Sequence, residues 1–288
     1  MVVPFFIVLT DIIATFMTIR IKDIIFSLNI HAPFNLSESW DNVGLLLGDM
    51  EREVSSVLIG LDPSSSLIDE AIAIGADTII THHPLIFKPL PTINTAEPVG
   101  RFIEKAISHK ISVIACHTNL DSAADGVSDA LAKSLGLSEL QPLLANPATP
   151  HSAQGMGRIG RFAEAVTAPA FLRLLGKALD LPAVFIAGRL PATISTVALC
   201  GGSGSNLATV AYERGADLYL TAEIKHNIAR WAEEHEFCLI EGTHYGTERH
   251  AVALLAEILN TENLARDWGI SITQTQTEYH PFVLTHTE

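Results

Sequence analysis

The chain has 288 residues, 48% of them hydrophobic, which is enough for one large domain or two ordinary ones and argues against disorder. Eighteen Lys and Arg against 32 Asp and Glu give a net charge of −14, which argues against general binding to nucleic acid or to an anionic membrane surface. The three cysteines, Cys116, Cys200 and Cys238, show no CxxC spacing and sit in apolar runs, so they read as small buried hydrophobes of a reducing, cytoplasmic protein rather than as a disulfide framework or zinc ribbon.

The first stretch, Val2 to Ile19, is apolar and nearly long enough to cross a bilayer. Pro4 and Asp11 interrupt it, and an aspartate near a span centre costs roughly 2.5–3.5 kcal/mol. No cationic residue precedes the run, as a secretory signal requires. Residues 1–16 therefore read as an apolar extension ahead of a natural start at Met17, with a signal or an anchor as the alternatives.

Ile21, Ile24, Ile25 and Leu28 recur at helical spacing, and Pro33 ends that helix. Ser37 to Asn42 is a loop and Leu45-Leu46-Leu47 a short strand. The run Val54 to Leu61 is a strand, and a serine cap opens a helix that buries Leu67, Ile68, Ala71 and Ile72 until Gly75 stops it. An apolar run from Asp77 to Ile80 leads into Thr81-His82-His83-Pro84, a strand whose end spills into a loop. A helix through Phe102, Ile103, Ala106 and Ile107 follows. The strand Ile111 to Cys116 comes next, with His117-Thr118-Asn119-Leu120-Asp121 at its end, and then a helix through Val127, Ala130, Leu131 and Leu135. This alternation predicts an α/β fold with a mostly parallel sheet covered on both faces. Residues Ser138 to Gly157, rich in Pro and Gly, break the rhythm and read as a linker. A strand over Arg161 to Val166, a helix through Leu172, Leu175 and Leu179, and a strand over Ala183 to Ala187 lead on to Thr193, where the rhythm resumes.

Here the chain echoes itself. Val57-Leu58-Ile59 corresponds to Val197-Ala198-Leu199, Gly75-Ala76-Asp77 to Gly215-Ala216-Asp217, and Thr81 to Thr221, all at one offset. The reading is two similar α/β halves related by internal duplication, with mostly parallel or mixed sheets and a site in the cleft between them. The first half covers 17–137, a linker and short central segment 138–192, and the second half 193–288. The tail, Ile270 to Glu278, alternates and adds an edge strand.

Strand ends are where ligands collect in open α/β sheets. The first half offers His82, His83, His117 and Asp121 there, and the second offers His244 with Glu248 one helical turn on. Imidazoles and carboxylates without thiolate suit zinc, iron, manganese or nickel. Even three histidines and two carboxylates from this set exceed what one catalytic ion with an open position takes, and suit two divalent ions per chain, roughly 3.5–4 Å apart. Six of the twelve histidines, His31, His109, His151, His235, His280 and His286, read as ordinary surface residues.

Ser39-Trp40-Asp41-Asn42-Val43-Gly44-Leu45, Thr81-His82-His83-Pro84-Leu85, His117-Thr118-Asn119-Leu120-Asp121 and Gly242-Thr243-His244-Tyr245-Gly246-Thr247-Glu248 together resemble the GTP cyclohydrolase 1 type 2 family, the Nif-three-like proteins with a dinuclear metal centre. The resemblance runs from about Met17 to Leu259. It implies metal ligands at His82, His83, Asp121, His244 and Glu248, with His117 a near neighbour, and self-assembly as a toroidal hexamer. Ala222 stands where members usually have glycine and Asn227 where a second histidine is usual.

The function this suggests is a metal-dependent hydrolase in which two cations acidify a water between them, acting on a purine ring, a nucleotide or a phosphoester. His117, Glu223, His226 and Tyr245 are the candidates for proton transfer or substrate contact. Gly201-Gly202-Ser203-Gly204 is a candidate phosphate cradle. The alternative is a non-enzymatic metal-binding ring that recognises other proteins.

Overall fold

The structure, a computed structural model, describes residues 18–149 and 152–285; the apolar extension at 1–16, His151 and His286 lie outside them. In chain order, α1 (Ile21–His31), β1 (Gly44–Leu47), β2 (Ser56–Gly60), α2 (Ser65–Ile74), β3 (Thr78–Thr81), α3 (Pro98–Ser108) and β4 (Ser112–Ala115) form the first βα run. The short α4 (Thr118–Ser122) and α5 (Val127–Ser134) lead to β5 (Ser138–Ala145) and β6 (Gly155–Thr167). Then come α6 (Ala168–Leu179), β7 (Phe185–Ala187), β8 (Thr193–Ser203), α7 (Ala208–Glu213), β9 (Leu218–Ala222), α8 (His226–Glu234), β10 (Cys238–Glu241), α9 (His244–Glu248), α10 (His250–Arg266) and β11 (Ser271–Gln274).

The strands form two mixed sheets, one of five in the order β1-β4-β3-β2-β11 and one of six in the order β5-β6-β8-β9-β10-β7. Each contains three adjacent parallel strands, β2-β3-β4 in the first and β8-β9-β10 in the second. Alternate residues of these strands feed opposite layers, as a two-residue repeat requires. Val57, Ile59, Ile80 and Ile114 pack with Ile21, Ile24, Leu255 and Leu259 on one face of the first sheet. Leu58, Ile79 and Val113 pack with Leu67, Ile68 and Phe102 on the other. The second sheet repeats the arrangement, with Leu199, Leu220 and Ile240 against Phe171 and Leu175, and Ala198, Tyr219 and Leu239 against Ala208 and Ala232. Helix α2 shows how local chemistry sets the boundaries. Ser64 Oγ accepts the Leu67 N–H at 3.1 Å, and Gly75 closes the helix at φ +72°.

Two expectations change. Residues Ser138–Ala145 are not linker but β5, antiparallel to β6. Pro142 is accommodated because β5 is the outermost strand of its sheet, where a missing N–H breaks no ladder on the free side. The span 193–288 does not close on itself either. Ala251, Leu255, Ala256, Leu259, Trp268 and Ile270 belong to the core around Ile21 and Val57, and β11 is the edge strand beside β2. The chain therefore crosses back to the first sheet. Among the described residues no helix is long and apolar enough to cross a membrane.

Candidate metal centre

Register assembles the site. Gly60 is paired with Thr81, and Thr81 with Ala115, so three parallel strands end on one line. The residues just past that line are Asp62, His82, His83 and His117. In the second sheet Thr221 is level with Glu241 and Ser203 with Ala222, and the chain leaves that edge as Glu223 and as Thr243-His244. Helix α9 then places Glu248 one turn after His244.

Three overlapping groups of donor atoms result, each within 4.8 Å: His82, His83 and His117; His83, His244 and Glu248; His82, Asp121 and Glu248. Glu248 Oε2 is the hub, 3.0 Å from His83 Nε2, 2.9 Å from His244 Nε2 and 3.8 Å from His82 Nε2. Asp121 Oδ1 lies 3.6 Å from His82 Nε2. Each imidazole is held from behind through Nδ1. His82 meets the Cys116 carbonyl at 2.8 Å, His83 the Asp62 carboxylate at 2.8 Å, His117 the buried Asp41 at 2.9 Å, and His244 the Glu223 carboxylate at 2.8 Å. A carbonyl only accepts, so His82 donates from Nδ1 and turns Nε2 inward. That Nε2 is buried and, among the described residues, has no hydrogen-bond partner, beside two carboxylates. Leaving a buried polar atom so is costly, and a cation coordinated by the unprotonated nitrogen satisfies it. The donor set thus fits a metal ion.

The donors also act on one another electrostatically. Burial alone would lower the His83 pKa, but hydrogen bonds to Asp62 and Glu248 outweigh it and push it to about 10. The hydrogen bond to Glu248, working against burial, takes His244 to about 9. Burial raises Asp121 to about 7, with His82 opposing and Glu248 adding to the rise. Burial would raise Glu248 too, but its hydrogen bonds to the surrounding imidazoles hold it well below the usual carboxylate range.

The remaining predicted residues divide. His117 joins the donor cluster, and Glu223, itself exposed, orients His244. Both residues that support His244 adopt left-handed backbone, Glu223 at φ +54° and Thr243 at φ +59°. His226 is exposed at the start of α8, and Tyr245 packs on His280; neither lines the cleft. The glycine run is not a free phosphate cradle. The N–H of Gly201 goes to Ser128 Oγ, that of Gly202 to Thr247 Oγ1 and that of Gly204 to Thr221 Oγ1. Gly202 instead makes room, since a Cβ there would lie 2.1 Å from Glu248 Oε1.

The cleft above the donors has a volume of about 440 Å³. Trp40 and Phe87, ring centroids 5.6 Å apart, form its outer wall with Pro84 and Met156. Asp41, Asp62 and Trp40 are the residues that sequence reading left without a role. Asp62 could have been found from its place directly after a strand in the same parallel set as the histidine strand.

Residues 19–281 match the model of the Duf34/NIF3 (NGG1p interacting factor 3) family. A "GTP cyclohydrolase 1 type 2 homolog" of Streptomyces coelicolor is 33% identical over 266 residues, 91% of this chain and 93% of that one. The crystal structure of Staphylococcus aureus protein SA1388 superposes with a TM-score of 0.86 at 31% identity, over 93% of this chain and 99% of that one. A Bacillus cereus protein related to NIF3 shares the fold, with a TM-score of 0.85 at 24% identity over 93% of this chain and all of that one.

Proposed function

The chain belongs to the Duf34/NIF3 family, and from that footing we propose that it is a metal-dependent hydrolase holding two divalent ions on His82, His83, Asp121, His244 and Glu248. The observation that carries the reading is the buried, unpartnered Nε2 of His82 facing Asp121 and Glu248, with further imidazoles held in place by carboxylates behind them. When bound, such ions supply Lewis acidity and an acidified water. The chain's own part is positioning. Glu248 reaches three imidazoles at once, and Asp41, Asp62 and Glu223 fix the ring planes. His117, the donor nearest the aromatic wall, is placed to contact substrate or move a proton.

Among the described residues, the lining of the cleft contains no Lys or Arg. Phosphoryl oxygens would therefore be met by the cations, while Trp40 and Phe87 offer ring faces to a base. A purine nucleotide or a related phosphoester fits this division. The test is turnover of GTP and a panel of phosphoesters by purified protein with zinc, manganese, iron or nickel restored. Activity that disappears in His83→Ala supports the proposal, and activity that survives it removes the metal from the chemistry.

A second reading, a metal-binding scaffold that assembles with itself and other proteins, is favoured by strongly exposed apolar side chains. Phe185, Phe282 and Val283 are each at least 80% exposed. Absence of turnover on every substrate, with a ring-sized particle by light scattering, selects it.

A further inference from the structure

Sequence reading makes the tail an edge strand and His280 a surface histidine, yet both reach the supports of the metal centre. Strand β11 runs parallel to β2 from Ser271, opposite Ser56, to Gln274, opposite Ile59, and the Thr275 N–H extends the ladder to Ile59 O at 2.8 Å. The chain then passes the end of β2, the edge that carries the donor loops. Glu70 of α2 anchors it there, accepting from the Gln276 N–H and from Thr277 Oγ1, both at 2.9 Å.

Glu278 folds over the strand end. Its Oε1 accepts the N–H groups of Leu61 and Asp62, both at 2.7 Å. Asp62 is the residue that holds His83 Nδ1 at 2.8 Å. Two residues on, His280 Nε2 lies 3.0 Å from Thr243 Oγ1, and its ring meets Tyr245 edge-on at 5.4 Å. Thr243 directly precedes His244 and is a β-branched residue at φ +59°. That conformation is strained and persists only where its surroundings over-determine it. Its Oγ1 also accepts the Gly246 N–H at 3.1 Å, so the strained residue is held from both sides. Within three residues the tail thus touches the support of His83 on one sheet and that of His244 on the other.

We propose that residues 275–280 form a strap that sets the spacing between the two halves of the metal centre, with Glu278 and His280 as its positioning residues. This rests on the metal reading given above. A strap that only pinned down the tail would leave the donor geometry unchanged; one that spaces the donors changes metal affinity when either end is released.

The test uses full-length protein carrying Glu278→Ala or His280→Ala, titrated with Co2+, whose visible absorption reports ligand geometry, with thermal unfolding of the same samples. Each variant is expected to melt cooperatively, to bind Co2+ about 10–100-fold more weakly, the range for residues that orient metal ligands, and to show an altered band. Glu278→Gln keeps an oxygen facing the Leu61 and Asp62 amides and is expected to restore affinity and spectrum. Should Glu278→Ala fail to fold, His280→Ala at the other end of the strap decides. A wild type that loads Co2+ beside variants of unchanged affinity and spectrum overturns the strap alone. A wild type that takes up no Co2+ overturns the metal reading and the strap with it.

Discussion

His83 and His244 stand 161 residues apart in the chain and 3.3 Å apart at their Nε2 atoms, and both reach the same oxygen of Glu248. Each is backed by a carboxylate, Asp62 or Glu223, so neither ring can turn away without abandoning a hydrogen bond. Alanine at either position removes a donor and leaves Glu248 short of a partner. The expected outcome is metal content falling from two equivalents per chain in wild type to one or fewer, read by elemental analysis of protein purified without chelator. Chelation of wild type should lower its melting temperature, since an ion at a hundred times its dissociation constant stabilises the fold by about 2.7 kcal/mol.

Gly202→Ala tests whether the donors need the space that glycine leaves. The new Cβ would lie 2.1 Å from Glu248 Oε1 and 3.2 Å from His244 Nε2, on a backbone at φ +61°. Gly215→Ala is the control, with a similar φ of +74° and nothing within 4 Å. Both carry a backbone cost of roughly 1–3 kcal/mol. Only Gly202→Ala should lose its bound metal while keeping a native far-ultraviolet circular dichroism spectrum.

The parts legible in the sequence are those that local chemistry decides. The Ser64 cap, the Gly75 stop and the buried run of β3 ending at His82-His83 follow from side-chain type and spacing. Strand β5 escaped because an exposed edge strand tolerates Pro142 and shows no buried run. Asp41 escaped because its meaning is tertiary. It reads as a loop residue until the fold brings it to His117 Nδ1 at 2.9 Å and to the Thr118 N–H at 3.1 Å. The same holds for Glu278, whose partners lie more than two hundred residues earlier.

Arg158 is nearly fully buried where β6 meets α5. Its guanidinium pairs with Asp129 at 2.7 Å and donates to the carbonyls of Ala123, Gly155 and Gly157. Asp129→Ala leaves a buried cation without its counter-charge, and the expected loss is about 3–5 kcal/mol in urea unfolding. Arg158→Met in the same chain should recover part of that loss, because the stranded charge is gone, but not all, because four carbonyls, that of Ala153 included, lose their donor.

The pH dependence of stability is best isolated at Glu262, which ties α10 to α1 away from the candidate metal centre. Its carboxylate accepts from Arg266 Nε at 2.6 Å, His31 Nε2 at 3.0 Å and Ser27 Oγ at 3.1 Å. These contacts, led by the Arg266 hydrogen bond, lower its pKa from 4.5 to about 2 in the folded chain. A carboxylate depressed on folding contributes stability that is fully present above its unfolded pKa and is lost as pH falls through the folded one. The penalty for Glu262→Gln, taken as the difference in melting temperature from wild type, should therefore shrink as the pH falls from about 4.5 toward pH 2. A penalty that instead grows as the pH falls below about 4.5 would mean that the carboxyl is stabilised in its protonated form, and that its contacts with His31 and Ser27 are not what joins the two helices.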